Sequence, residues 1–359
     1  MFRFTSMKNS CILYGATGYT GTLIARLAKE KDIPIILAGR SEPKLKQLAF
    51  ELGFDYRVFD LNDHKTICDN IRAFQVVLHA AGPFRHTAAQ MMNACIAEKV
   101  HYTDITGEIE VFEMAKSLNE AASKAEIMLL PGIGFDVVPT DCMAQYLYKL
   151  LPDATHLQLA FAMEGGRISH GTAITMAENL GSPGAMRKNG KIVAIPAGIN
   201  TMNVPFHSGK FRFCMSIPWG DISTAYHSTG IQNIETFMAI KPSLYRSNKF
   251  IQRYAGSILR SKIVKKLVKF YINSIPAGPS EEERQKGSSH VWGKVWNEKG
   301  MEIQARYSVP EGYTFTAMSA LHIVQKILAG EVLLGFKTPS AAYGELLVKE
   351  ICGENFEKL

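Results

Sequence analysis

The stretch Cys11–Gly21, C-I-L-Y-G-A-T-G-Y-T-G, leaves a chain few ways to fold. Cys11, Ile12, Leu13 and Tyr14 form an apolar run long enough for one buried strand. Gly15, Gly18 and Gly21 follow at a three-residue spacing. Leu23, Ile24, Leu27 and Ala28 then recur at helical spacing, with Arg26, Lys29 and Glu30 opposite them. Strand, glycine turn and amphipathic helix together open a dinucleotide-binding βαβ unit. A pyrophosphate approaches the backbone so closely there that the turn excludes a Cβ. The first N–H groups of the helix point at the anion, helped by the positive end of the helix dipole. Thr17 and Thr20 add hydroxyl donors on either side of Tyr19. The spacing is G-x-x-G-x-x-G, with Thr17 where the second glycine of the tighter form would stand. Glycine spacing alone also suits an ordinary strand–helix turn; the strand before it and the helix after it select nucleotide binding.

The next strand, Ile33–Ala38, ends in Gly39-Arg40-Ser41, and this position decides the cofactor. NAD enzymes usually place an acid here to accept from the ribose 2′-OH. Arg40, with Ser41 beside it and Lys44 one turn on, instead suits the 2′-phosphate of NADP(H) through charge-assisted hydrogen bonds. The plain alternative is a solvated arginine at a strand end. Ser41–Leu52 reads as a helix and Tyr56–Phe59 as the third strand. Asp60 then either faces the adenine amino group or caps a helix starting near Asp63. Val76–His79 is the fourth strand; Ala80, Ala81 and Gly82 at its end leave room for ribose and nicotinamide, and Pro83 turns the chain out. His86–Glu98 is helical, Tyr102–Ile105 a fifth strand, and a helix through Ala122 leads to a sixth at Ile127–Leu130. Six β-elements alternating with helices predict a Rossmann-type, doubly wound parallel sheet.

Pro131–Asp141 holds two glycines, two prolines and two acids, so it is a structured loop at the carboxyl edge, where ligands sit in open α/β sheets. Asp141 there suits a cap for a helix Cys142–Leu151, and Asp136 a place in the site. From Asp153 the βα rhythm stops. His156–Met163, Phe206–Ile217, Ile234–Ile240 and a Val291–Asn297/Met301–Val309 hairpin predict a C-terminal α+β domain with a largely antiparallel sheet. The expected division is 1–141, completed by 313–359, and 142–312. Pro310–Gly330 and Thr338–Ile351 each carry a helix in this reading. His170 and His227 open or follow polar turns; each is a candidate for the cleft and equally a structural histidine. Tyr245 and Lys249 match a Y-x-x-x-K spacing by chance, inside a basic segment.

That segment, 241–272, holds nine of the lysines and arginines and no acid, against a formal net charge of +7 for 359 residues. The rest of the chain is therefore slightly acidic. Ile251, Tyr254, Ala255 and Ile258 share one helical face. Ile263, Val264, Leu267, Val268 and Tyr271 share another, opposite Lys262, Lys265, Lys266 and Lys269. An apolar face backed by lysines is suited to an anionic lipid surface, or to covering a sheet with its lysines in water. Nucleic acid is not expected, because aromatics are not interleaved as stacking platforms. At 47% hydrophobic residues the chain can bury a large core. The six cysteines form no C-x-x-C pair, so no metal site is visible. Their apolar surroundings suit reduced thiols and a cytoplasmic location. No signal-peptide h-region precedes the first strand, and no apolar run spans a bilayer.

Together the motifs G-A-T-G-Y-T-G (15–21), A-G-R (38–40), A-A-G-P-F (80–84), H-Y-T-D-I-T-G-E (101–108), P-G-I-G-F-D-V-V-P-T-D (131–141), P-W-G-D (218–221) and G-Y-T-F-T-A (312–317) have a family pattern. The chain resembles the saccharopine dehydrogenase-like oxidoreductases, in particular the branch that includes trans-acting enoyl reductases. The resemblance implies an N-terminal Rossmann domain binding NADP(H), a C-terminal α/β domain that often mediates dimerisation, and hydride transfer to a C=C or C=N bond of a small-molecule substrate, an acyl or lipid group among the candidates. The chain is shorter than the saccharopine-forming enzymes and their substrate-carboxylate arginines are not placed in it, so the resemblance does not by itself imply an amino-acid substrate. Tyr102, Asp136 and His170 are the candidate proton donors. The contrasting reading is a nucleotide-binding protein at a lipid surface with no hydride chemistry.

Overall fold

The computed structural model describes residues 10–165, 167–179, 181–207, 210–247, 249, 261–272, 274 and 276–359. The chain divides into two compact units, Met1–Val138 with Tyr313–Tyr343, and Pro139–Gly312 with Gly344–Leu359. The segment 344–359 therefore groups with the second unit rather than with the first, where the sequence reading put it.

In the first unit the strands are β1 (Cys11–Tyr14), β2 (Ile35–Gly39), β3 (Tyr56–Val58), β4 (Val76–His79), β5 (His101–Asp104) and β6 (Met128–Leu130). A further strand, β15 (Gly335–Phe336), comes from far down the chain. They lie in the order β15-β6-β5-β4-β1-β2-β3, every pair parallel. The order reverses between β1 and β4, the switch point where doubly wound sheets bind their ligands. All four residues of β1 are buried, as expected of a central strand covered on both faces. Helices α1 (Tyr19–Glu30), α2 (Glu42–Leu52), α3 (His64–Ile71), α4 (Ala88–Glu98), α5 (Ile109–Ser117) and α6 (Asn119–Lys124) make the crossovers. The core joins strand residues such as Ile12, Val77 and Leu129 to helix residues such as Ile67, Met91 and Val111. Asp63, not Asp60, caps α3, accepting from Thr66 N–H at 2.8 Å.

Helix α7 (Val138–Leu150) leads from the first unit into the second and starts four residues earlier than the sequence suggests, because a proline is tolerated in a helix's first turn. Asp141 is consequently inside the helix. It is fully buried and accepts from Ser228 Oγ at 2.9 Å. The strands are β7 (His156–Glu164), β8 (Gly184–Lys188), β9 (Lys191–Ile195), β10 (Thr201–His207), β11 (Lys210–Ser216), β12 (Asn233–Ala239), β13 (Ser288–Trp296), β14 (Glu302–Pro310) and β16 (Glu357–Lys358). The main path runs β10-β11-β12-β7-β13-β14-β16, antiparallel except for the parallel pair β12–β7. The expected strand Phe206–Ile217 is in fact the junction of β10 and β11. The β8–β9 hairpin, turning at Asn189 (φ 50°) and Gly190 (φ 74°), was not anticipated.

Among the helices of this unit are α8 (His170–Glu178), α9 (Asp221–Thr229), α10 (Lys262–Ile272) and α11 (Glu281–Lys286). The expected apolar face of α10 splits. Val268 and Ile272 pack with Ala173, Ile174 and Ala177 of α8, while Ile263, Leu267 and Tyr271 face solvent. The piece Ile251–Ile258 lies outside the described residues. Helix α12 (Gly312–Leu328) leads back into the first unit. Instead of one helix at 338–351 there are two short ones, α13 (Pro339–Tyr343) and α14 (Leu347–Cys352), parted at Gly344 with φ 82°.

Candidate active site

The carboxyl ends of β1, β2 and β4 meet at the glycine turn. Gly15 and Ala16 donate their N–H groups to Ala38 O at 2.8 and 3.1 Å, and Ala80 N–H donates to Tyr14 O at 2.7 Å. Gly15 has φ +89°, and a Cβ there would lie 2.7 Å from the Ala80 carbonyl carbon. At Gly21 a Cβ would lie 2.2 Å from Gly15 O. Gly18 is the N-cap of α1 and no side chain caps that helix, nor does an acid occupy its first turn. The turn thus combines a close backbone approach with a helix N-terminus that has neither a side-chain cap nor an acid in its first turn, which fits a dinucleotide pyrophosphate. Tyr19 packs edge-on against Tyr313 of α12, with ring centroids 5.1 Å apart.

Arg40 is exposed just past β2, and among the described residues it enters no ion pair. Ser41 is the N-cap of α2, yet its side chain makes no capping hydrogen bond. A guanidinium and a hydroxyl are therefore both available at the strand end where a 2′-phosphate would be read. Asp60 is exposed and accepts from Asn62 N–H at 2.9 Å. Ala80 and Ala81 are half-buried and Gly82 exposed at the end of β4. The glycine turn, Arg40, Ser41 and the 80–82 segment thus all lie at the carboxyl edge of one sheet.

The loops after β4, β5 and β6 are tied together by two carboxylates. Glu108 accepts from Phe84 N–H at 2.8 Å, from Arg85 N–H at 3.0 Å and from Arg85 Nε at 3.0 Å. Asp104 accepts from Thr106 N–H at 3.0 Å, Gly132 N–H at 2.9 Å and the Tyr102 hydroxyl at 2.6 Å. Burial pushes the Asp104 carboxyl up to about 6, and the Tyr102 hydrogen bond opposes that shift. Tyr102 is 0% exposed inside the core, and its hydroxyl is engaged as a donor to Asp104. His79 is likewise buried, and burial holds it neutral by lowering its pKa to about 3. Neither Glu108 nor Asp104 stands out as a site residue in the sequence, because the partners of each come from other loops.

Asp136 is the acid that remains. The loop bearing it is fixed by Ile133 N–H to Asp104 O at 2.8 Å and by Phe135 N–H to Thr316 Oγ1 at 3.0 Å. The Gly82–Pro83 and Asp136–Val137 peptide bonds are cis. The Asp136 carboxyl lies over Gly107, where a Cβ would come within 2.8 Å of Oδ2. The residue keeps partial exposure, but loss of water around its carboxyl pushes the pKa up to about 7. His170 is in the second unit, at the start of α8, where Ser169 caps the helix. His227 lies on α9 in the same unit.

A glycine turn at the switch point of an all-parallel sheet defines the first unit as a Rossmann-type dinucleotide-binding domain. Residues 11–130 match the saccharopine dehydrogenase NADP binding domain. A trans-acting enoyl reductase of Mycobacterium leprae (strain TN) is 33% identical over 148 residues, 38% of this chain and 35% of that protein. A saccharopine dehydrogenase-like oxidoreductase of Mus musculus is 26% identical over 204 residues, 49% of this chain and 47% of that protein. The chain thus spans between a third and a half of the length of these curated relatives. Among solved structures, an apo saccharopine dehydrogenase (L-Glu forming) of Saccharomyces cerevisiae shares the fold, with TM-score 0.67 and 12% identity. That match covers 98% of this chain and 99% of the other.

Proposed function

We propose that the chain is an NADP(H)-dependent oxidoreductase that reduces a polarised C=C (enoyl) or C=N bond, with Asp136 giving the proton. The nicotinamide, when bound, supplies the hydride. The backbone at Gly15, Gly18 and Gly21, with Thr17, Tyr19 and Thr20, receives the pyrophosphate. Arg40 and Ser41 take the 2′-phosphate, Asp60 the adenine amino group, and Ala80, Ala81 and Gly82 leave space for ribose and nicotinamide. Support for the reaction class comes from the relatives named as an enoyl reductase and an oxidoreductase. The observation that carries the reading is Asp136. A carboxyl pushed up to about 7 by loss of water, on a braced loop at the carboxyl edge, suits a group that carries a proton and gives it up near neutral pH. A small-molecule substrate and a homodimer complete the proposal; sedimentation would check the latter.

The direct test is NADPH oxidation with a panel of enoyl-thioesters and imines. Turnover of one class is expected, falling by about 10²–10⁴-fold in Asp136→Asn with NADPH affinity kept. Bound NADPH without turnover of either class would sink the catalytic reading.

A second reading, an NADP-binding protein on a lipid surface, is favoured by α10. Its Ile263, Leu267, Phe270 and Tyr271 are 72%, 64%, 77% and 67% exposed, with Lys266 exposed beside them. Such a stripe inserts among acyl chains while lysines meet anionic headgroups. None of the described helices is long and apolar enough to cross a membrane. Flotation with anionic vesicles that is lost in a Leu267→Glu, Phe270→Glu variant would support this reading; no flotation by the wild type would remove it.

A further inference from the structure

We propose that Glu164, His207 and His290 form a site for a divalent transition metal of zinc-type chemistry, at a seam where the sheet of the second unit curls onto itself. Strands β11, β12 and β7 stand between β10 and β13 in the sheet order. Even so, His207 at the end of β10 meets His290 near the start of β13, Nε2 to Nε2, at 3.2 Å. The sheet therefore bends far enough to bring the two strands together. Arg306 of β14 reaches across as well, donating to Pro205 O of β10 at 3.2 Å. The inner face packs Ala160, Val204, Phe206, Phe237 and Trp292 against one another.

Three facts single out this cluster. First, the donor set: the ligand atoms of two imidazoles and one carboxylate all lie within 4.8 Å of one another. Glu164 Oε1 is 3.5 Å from His290 Nε2 and 3.9 Å from His207 Nε2. Ligand bonds of about 2.0–2.1 Å in a tetrahedron give ligand–ligand edges of about 3.3–3.4 Å, so the three atoms already stand near such edges. Second, the outer shell: Ser308 Oγ lies 2.7 Å from His290 Nδ1, which orients that ring with Nε2 toward the cluster. Third, access: the side chains of His207 and Glu164 are each 39% exposed, while that of His290 is 5% exposed. Two histidines and a glutamate leave a fourth position open, as zinc sites with a bound water do.

Arg212 also donates to Glu164. A metal ion would have to share that carboxylate with a guanidinium, so the charge of Arg212 opposes binding. Without metal, the Nε2–Nε2 contact, Ser288 Oγ at 3.3 Å from His290 Nε2 and the Arg212–Glu164 pair satisfy the cluster. The sequence hid this site because its three ligands come from strands at 156–164, 201–207 and 288–296, with no common motif. The site lies wholly within the second unit and does not depend on the proposed reductase activity.

The test uses the tag-free full chain, stripped with EDTA and titrated with Co²⁺ while its visible absorption is followed, then displaced with Zn²⁺. Saturable binding at one ion per chain is expected, with the strong visible bands of tetrahedral cobalt. His207→Ala and Glu164→Gln should each weaken it by at least about tenfold. Both replace half-exposed side chains, and melting curves in EDTA confirm that the variants fold. Zn²⁺ should raise the melting temperature of the wild type and not that of His207→Ala. Arg212→Gln should bind Co²⁺ more tightly. No saturable binding by the wild type, or binding unchanged in both His207→Ala and Glu164→Gln, would overturn the proposal and leave a histidine–histidine hydrogen bond.

Discussion

Replacing Asp136 with asparagine should stabilise the protein while disabling it, and the gain should depend on pH. An unfolded aspartate ionises near its ordinary value of 3.8, whereas Asp136 in the fold does so at about 7. Below the lower value both states are protonated and the group contributes nothing. Between the two values the unfolded chain has lost a proton that the native state keeps. Stability then falls as pH rises, by about 1.4 kcal/mol per pH unit, and the whole penalty is present above about pH 7. The full interval corresponds to about 4 kcal/mol as an upper bound; partial exposure screens the charge, so about 2 kcal/mol is the working expectation. Asparagine has the same shape and never pays for an ionised carboxylate. Urea melts of both proteins between about pH 4 and pH 8 give the measurement. Their difference removes the contributions of His79 and Asp104, which both proteins share. The variant should match the wild type near pH 4 and exceed it by about 2 kcal/mol above pH 7. A constant offset across the whole range would refute the idea that this carboxyl is held protonated by its surroundings.

Two further expectations rest on the nucleotide turn. Gly15→Ala meets both a positive φ and a Cβ 2.7 Å from the backbone of Ala80; it should lower stability by about 2 kcal/mol or more and abolish NADPH binding, read by thermal melts and nucleotide fluorescence. Arg40→Asp should weaken NADPH about ten- to hundredfold, the worth of a charge-assisted contact, while leaving NADH unharmed; equal losses for both coenzymes would show that Arg40 does not read the phosphate.

The nucleotide domain was legible because its signals are local. The buried run at Cys11–Tyr14, the glycines and the following amphipathic helix all fall within one crossover. Its edge strand was not, since Gly335–Phe336 is too short to show a period and is fixed by contacts with Ile127 and Asn119. In the second unit the Asn189-Gly190 pair was a local hairpin signal, but β8 and β9 are mostly surface residues with little apolar alternation to frame it. Asp141 looked like a cap because its true partner, Ser228, is 87 residues away. Asp136 stood out as an acid in a loop of glycines and prolines. What raises its pKa is desolvation by neighbours such as Gly107, which no spacing rule encodes.

The placement of β15 has a consequence for how the protein is made. Its two residues pair with Met128 and Leu129, on the far side of β6 from β5. While the ribosome is still adding β7 to β14, the nascent nucleotide domain has a bare hydrogen-bonding edge along β6. That edge can recruit a strand from a neighbouring chain until Gly335 and Phe336 emerge, so synthesis interrupted anywhere between about residue 140 and residue 330 should yield sticky fragments that call on chaperones.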